Sequence, residues 1–357
     1  MTIIVFLFIL GVLIIVHEFG HFIIAKKIGV RVEKFSLGFG PRLLKRKKGE
    51  TEYSVSLIPL GGFVKLAGDT LEEYKGADYE YLSKPPGKRF WVIVFGSLLN
   101  YILGFLIFGL IFFLGHPSLT TKVETLMEGF GAKEAGLQAG DKILEIDDKR
   151  ITFWEELQNV VQSKKINTKV KLLVLRDNRK FTVDVLIKEK ELEDDKGQKH
   201  AIGLLGISPQ IEIAKGNFIR SFVFGINKTL NLTVFTYKGL WHIITGKVSV
   251  RESATGPLGI FFITSKVAHA GIIAILDWIA LLSISLAIFN LLPFPVLDGG
   301  HILFLGLEKI RGKALSIKTE QVIAQIGVTV IISLALFITY NDFLRFFQDK
   351  IANFLNK

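Results

Sequence analysis

Ile14-Ile15-Val16-His17-Glu18-Phe19-Gly20-His21-Phe22-Ile23-Ile24-Ala25 is the stretch on which the rest of the chain turns. It closes an apolar run that begins at residue 3, so H-E-F-G-H lies inside a segment long enough to cross a bilayer. On a helix, His17 and His21 stand at i and i+4 on one face, with the Glu18 carboxylate beside the first. Two imidazoles at that spacing next to an acid form the ligand-and-base arrangement of a zinc hydrolase. Ionisable groups in hydrocarbon are costly, so finding them there marks a site and not chance polarity.

The composition agrees with a membrane setting. Of 357 residues, 50% are hydrophobic, 22% are charged and 30 are Phe. Long apolar blocks alternate with charged ones, the pattern of a polytopic membrane protein with a water-facing insert. The chain has no Cys, which excludes disulfides, thiolate metal sites and thiol nucleophiles. The net charge of +11 is concentrated beside the apolar blocks: basic residues outnumber acidic ones over 25–89 and balance them over 116–210. Such a distribution sets membrane orientation and meets anionic lipid, and it argues against nucleic acid as a partner.

Four transmembrane helices follow. The first, about Thr2–Ala25, has no basic leader or small-residue cleavage site and is followed at once by Lys26, Lys27, Arg31 and Lys34, so it reads as a retained span. The basic flank places its C-terminal end in the cytoplasm and the N-terminus outside. The second, about Phe90–Gly115, follows Lys88 and Arg89, carries Asn100, and leads outward, making 116–210 extracytoplasmic. The third, about Trp278–Leu297, returns to a second basic cluster (Lys309, Arg311, Lys313, Lys318). The fourth, about Val322–Tyr340, ends outside in a short polar tail, so both termini are extracytoplasmic. Phe218–Gly246 is apolar enough to suggest a fifth span, but Arg220, Asn227, Asn231, Lys238 and His242 fall on one stripe at 100° per residue. That describes an amphipathic helix lying in the interface. The expected division is 1–115 (first two spans and a β region), 116–210 (soluble domain), 211–257 (interfacial helix) and 258–357 (last two spans).

Within 116–210, strand-like runs at Lys142–Ile146, Lys169–Leu175 and Thr182–Ile187 surround a helical stretch near Phe153–Gln162. The order Glu134-Ala135-Gly136-Leu137, Gly140-Asp141-Lys142-Ile143-Leu144, then Trp154-Glu155-Glu156-Leu157 resembles the PDZ domains of bacterial membrane and periplasmic proteases. The resemblance implies an α+β fold that takes a peptide end as an added strand, with Gly203-Leu204-Leu205-Gly206-Ile207 as the carboxylate nest. A steric filter that binds no peptide is the alternative.

A catalytic zinc takes three protein ligands and keeps one position open. His17 and His21 give two, and no further His or acid follows within that span. The best third candidate is Asp298 in Asn290-Leu291-Leu292-Pro293-Phe294-Pro295-Val296-Leu297-Asp298-Gly299-Gly300-His301. It lies at the cytoplasmic end of the third span, at the depth of H-E-F-G-H. The two prolines break the helix there, tolerable in a membrane only around a cavity or a site. His301 is the rival ligand.

H-E-x-x-H in the first span, together with N-x-x-P-x-P-x-L-D-G in a late one, resembles the site-2 protease family of intramembrane zinc metalloproteases, and within it the bacterial RseP/RasP branch. Ser36-Leu37-Gly38-Phe39-Gly40-Pro41, Pro59-Leu60-Gly61-Gly62-Phe63-Val64-Lys65, Gly256-Pro257-Leu258-Gly259 and Glu308-Lys309-Ile310-Arg311-Gly312-Lys313 resemble segments of that branch, so the likeness covers nearly the whole chain. It implies zinc on His17, His21 and Asp298, Glu18 as the base, and Asn290 holding the substrate backbone or the developing oxyanion. It also implies a membrane-associated β-hairpin around Tyr53–Leu66, on the cytoplasmic side. The enterobacterial type carries two tandem PDZ domains, whereas the space between spans two and three here fits one.

The implied activity is hydrolysis of peptide bonds within or near transmembrane segments of single-span membrane proteins, such as anti-sigma factors or signal-peptide remnants, at the bacterial inner (plasma) membrane. An inactive membrane adaptor that binds peptides through its PDZ domain is the alternative. An ion or solute transporter predicts internal repeats, which the sequence lacks.

Overall fold

The structure, a computed structural model, describes residues 2–151, 153–193, 199–313 and 315–355. It divides into two units: residues 1–113 with 217–357, and residues 114–216.

The first unit begins with helix α1 (Thr2–Lys27), apolar on every side up to Val16 and ending on Lys26 and Lys27, cations that suit a helix C-terminus. A long antiparallel hairpin follows, β1 (Val32–Lys48) and β2 (Thr51–Leu66). Its tip is the two-residue turn Gly49-Glu50, where Gly49 takes φ 61°. Glu52 pairs with Arg42 and Lys45 across the strands. The hairpin is therefore longer than the Tyr53–Leu66 stretch singled out in the sequence. Its first arm is masked there by the basic run Arg42–Lys48, which leaves no clean alternation. Helix α2 (Pro86–Leu114) starts with Pro in its first turn. Ile24, Ala25, Val30, Val32, Leu66 and Val92 form one core that joins the end of α1, the base of the hairpin and the start of α2.

The second unit runs β3 (His116–Leu126), α3 (Gly131–Glu134), β4 (Lys142–Ile146), β5 (Lys149–Arg150), α4 (Trp154–Ser163), β6 (Lys169–Arg176), β7 (Arg179–Leu186), β8 (Lys188–Glu193), β9 (Lys199–Leu204) and β10 (Ile207–Ala214). Strands β10-β3-β4-β6-β7 hydrogen-bond in that order, and β8 pairs with β9. Ile143, Ile146, Leu157, Leu172, Val174, Val185 and Ile187 lie among its core residues; each such burial contributes about 1.5–3 kcal/mol. The strand-like runs and the helix expected from the sequence are present, giving a PDZ-like α+β unit. Buried Asp141 accepts hydrogen bonds from Arg176 and the Gln138 amide. Burial alone would raise its pKa; these donors outweigh burial and hold it below the usual Asp value.

The first unit resumes with α5 (Phe218–Ile244), capped by Asn217, then α6 (Val250–Ser253), α7 (Pro257–His269), α8 (Ile272–Asn290), α9 (Asp298–Arg311) and α10 (Ile317–Leu355). Among the described residues, four helices are long and apolar enough to cross a membrane: Thr2–Lys27, Pro86–Leu114, Ile272–Asn290 and Lys318–Arg345. Helix α5 is a single continuous helix outside that set.

Three features depart from the sequence reading. The segment before the third span folds as a separate helix, α7, whose Gly256 and Gly259 amides donate to buried Asp342 of α10. The third span stops at Asn290, and Asp298 is the first residue of α9 and not the end of a span. Pro293 and Pro295 lack the amides a helix needs, and Val296 takes φ 85° in the intervening turn. The fourth helix also runs on as helix to Leu355, where a short tail was expected.

Candidate metal centre

Three helices deliver the site. Helix α1 carries His17 and His21 one turn apart, with ring centroids 4.8 Å apart and nearly perpendicular. Its Gly20 lies against the Phe95 backbone of α2, where a Cβ would collide with the carbonyl. This close approach brings α2 against the histidine face. Helix α9 contributes Asp298 from its first turn. There the Leu291 and Leu292 carbonyls crowd Gly299, and the Phe294 carbonyl crowds Gly300. Only glycines let the turn fold this tightly back on the helix start.

The groups converge. Nε2 of His17 is 3.4 Å from Oδ2 of Asp298, and Nε2 of His21 is 3.8 Å from Oδ1. The two Nε2 atoms are 3.2 Å apart. One potential ligand atom from each residue lies within 4.8 Å of the others, and no other such group involves His301 among the described residues. The side chains are only 12–16% exposed. His21 Nδ1 lies 2.8 Å from the Val92 carbonyl; donating to it assigns the proton to Nδ1 and leaves a lone pair on Nε2. Lone-pair atoms facing one another at these distances repel unless a proton or cation lies between them. Two imidazoles and a carboxylate are a donor set that zinc accepts.

Glu18 lies beside this cluster, next to the Val64 backbone of β2. The Cα of Gly62 is so close that a Cβ there would stand 3.3 Å from Glu18 Cγ and 2.9 Å from Ile14 Cγ2. Nδ2 of Asn290 is 3.5 Å from Nε2 of His17. His17, Glu18, His21, Asn290 and Asp298 thus all come together. Asn100 does not join them: its side chain is fully buried in α2, and its carbonyl accepts from Ser283.

Sequence reading missed what α2 supplies. The Val92 carbonyl holds His21, Gly96 makes room for its ring, and Ser97 Oγ donates to Asp298 Oδ2 at 3.1 Å. The one available signal is that Gly96 and Ser97 are adjacent small residues, whereas Gly104 and Gly109 of the same span stand singly.

Residues 5–334 match the family described as Peptidase family M50. The chain is 29% identical, over 97% of its length and 99% of the relative's, to zinc metalloprotease RasP of Oceanobacillus iheyensis. It is 34% identical to a putative zinc metalloprotease of Campylobacter jejuni, over 94% of this chain and 92% of that one. A putative zinc metalloprotease of Clostridium acetobutylicum is 33% identical, over 93% and 94%. Among solved structures, the PDZ domain of an SdrC-like protein from Listeria innocua is 26% identical, covering 27% of this chain and 98% of that one, with a TM-score of 0.21.

Proposed function

The chain belongs to peptidase family M50, and from that premise we propose that His17, His21 and Asp298 hold its catalytic zinc, with Glu18 as base and Asn290 as a substrate contact. It is a multi-pass intramembrane zinc metalloendopeptidase. The observation that carries the residue assignment is the convergence of the three ligand atoms within 4.8 Å from segments far apart in sequence.

A zinc ion held by His17, His21 and Asp298 would supply Lewis acidity toward a substrate carbonyl and toward water. Glu18 takes a proton from the attacking water as the water oxygen bonds to the amide carbon. It then returns the proton to the nitrogen as the C–N bond breaks. The Asn290 amide, beside His17, holds the carbonyl oxygen as charge develops on it. A helical substrate shields its own amides, so it must unwind before cleavage. Strand β2 pairs only with β1 among the described residues and passes beside Glu18 at Gly62. It is placed to take an unwound segment as an added strand.

The basic flanks of α1 and α2 and the cluster Lys309–Lys318 support a cytoplasmic position for the hairpin and Asp298, with both termini and the PDZ-like unit outside. The membrane is the bacterial plasma membrane, and the substrates are single-span proteins such as anti-sigma factors or signal-peptide remnants. The domain reading is 1–115, 116–210, 211–257 and 258–357.

Purified wild type and Glu18→Gln, compared on one single-span substrate, test the assignment. The variant is expected to keep its zinc and lose cleavage by roughly 10²–10⁴-fold. Equal cleavage by both would remove Glu18 as the base.

A further inference from the structure

One stretch of α2 stands behind two of the three converging side chains. Val92 fixes the His21 ring through its carbonyl, and five residues on Ser97 donates to Asp298 across 201 residues of sequence. Ser97 is fully buried. We propose that Ser97 is a positioning residue for the metal centre, its hydroxyl fixing the plane and rotamer of the Asp298 carboxylate. The inference rests on the reading of Asp298 as a zinc ligand.

Asp298 is the first residue of α9 and follows a tight turn, so its own helix restrains its side chain weakly. The Ser97 hydrogen bond engages Oδ2, the oxygen that faces His17, and thereby turns Oδ1 toward His21. Partners of this kind orient ligating groups, and their loss typically weakens metal binding by about 10–100-fold. Ser97 does not have to hold α9 in place. The other end of that helix is tied to α2 by the ion pair of Glu308 with the buried Arg89. Removing one hydroxyl therefore leaves α9 docked and changes only how its carboxylate is presented.

The test is zinc affinity, by chelator competition, of the purified full chain as wild type, Ser97→Ala, Asp298→Asn and the double variant. Visible absorption of the cobalt(II)-substituted proteins serves as a second readout. Ser97→Ala is expected to bind zinc about 10–100-fold more weakly, to shift the cobalt bands, and to melt like wild type when metal-free. In the Asp298→Asn background the same change is expected to add no further loss, because Ser97 acts through Asp298. Wild-type affinity in Ser97→Ala, or a full additive loss in the double variant, overturns the proposal. A lower metal-free melting temperature with unchanged affinity also overturns it and makes Ser97 a packing residue. Wild-type affinity in Asp298→Asn instead removes the ligand assignment itself, and this inference with it.

Discussion

Gly96→Ala separates the stability of the fold from the geometry of the site. Gly96 is interior to α2, where alanine is ordinarily better than glycine by about 0.5–1 kcal/mol. A Cβ at this position would sit 2.5 Å from His21 Cε1, whereas ordinary contact begins at 3.4 Å. The imidazole must retreat by about 1 Å to restore normal carbon contact. It cannot simply rotate, because Nδ1 is held by Val92. Overpacking costs about 1–3 kcal/mol, part of which the helix propensity offsets, so global stability changes by no more than about 2.5 kcal/mol. The site registers the same shift directly in its rate, since a 1 Å misplacement can cost about 10²-fold. The control is Gly11→Ala on α1, where nothing lies within 4 Å of the added carbon. Initial rates on a single-span substrate and zinc affinity of both variants provide the readout. Gly96→Ala is expected to lose about two orders of magnitude in kcat/KM with weakened zinc binding, and Gly11→Ala to match wild type. Wild-type turnover in Gly96→Ala would refute the claim that α2 sets the position of His21.

Two further outcomes follow from buried carboxylates. Asp342→Ala leaves the Gly256 and Gly259 amides buried without an acceptor, so we expect the full chain to lose about 2–5 kcal/mol by chemical denaturation. An unchanged midpoint would mean that α7 and α10 are not joined there. Asp141 titrates below its ordinary range in the folded protein, so its contribution is complete above the unfolded-state pKa and fades as pH falls through the folded one. Hydrogen exchange of β4 and β6 should lose protection below about pH 4, and Asp141→Asn should flatten that dependence; an identical acid profile in the variant would discount the pairing with Arg176.

The parts of the site that follow local rules were legible in the sequence. His17, Glu18 and His21 declare themselves through helical spacing in an apolar run, and Asp298 through the proline-broken segment before it. What α2 contributes was hidden, because a carbonyl, a glycine and a buried hydroxyl acquire meaning only when another helix lies against them. Helix α7 was hidden because its apolar residues run into those of α8, with only Gly271 at φ 97° to separate them. The first hairpin arm was obscured by its lysines and arginines, which answer to the surface it faces and not to strand alternation.

A zinc site split between α1 and the start of α9 has a ligand shell that can be measured. Zinc-edge X-ray absorption of the purified full chain tests it most directly. One zinc per chain with two imidazoles and oxygen ligands at about 2.0–2.2 Å is expected, with marked zinc loss in Asp298→Asn. A zinc shell with a third imidazole, or one that Asp298→Asn leaves unchanged, would contradict it.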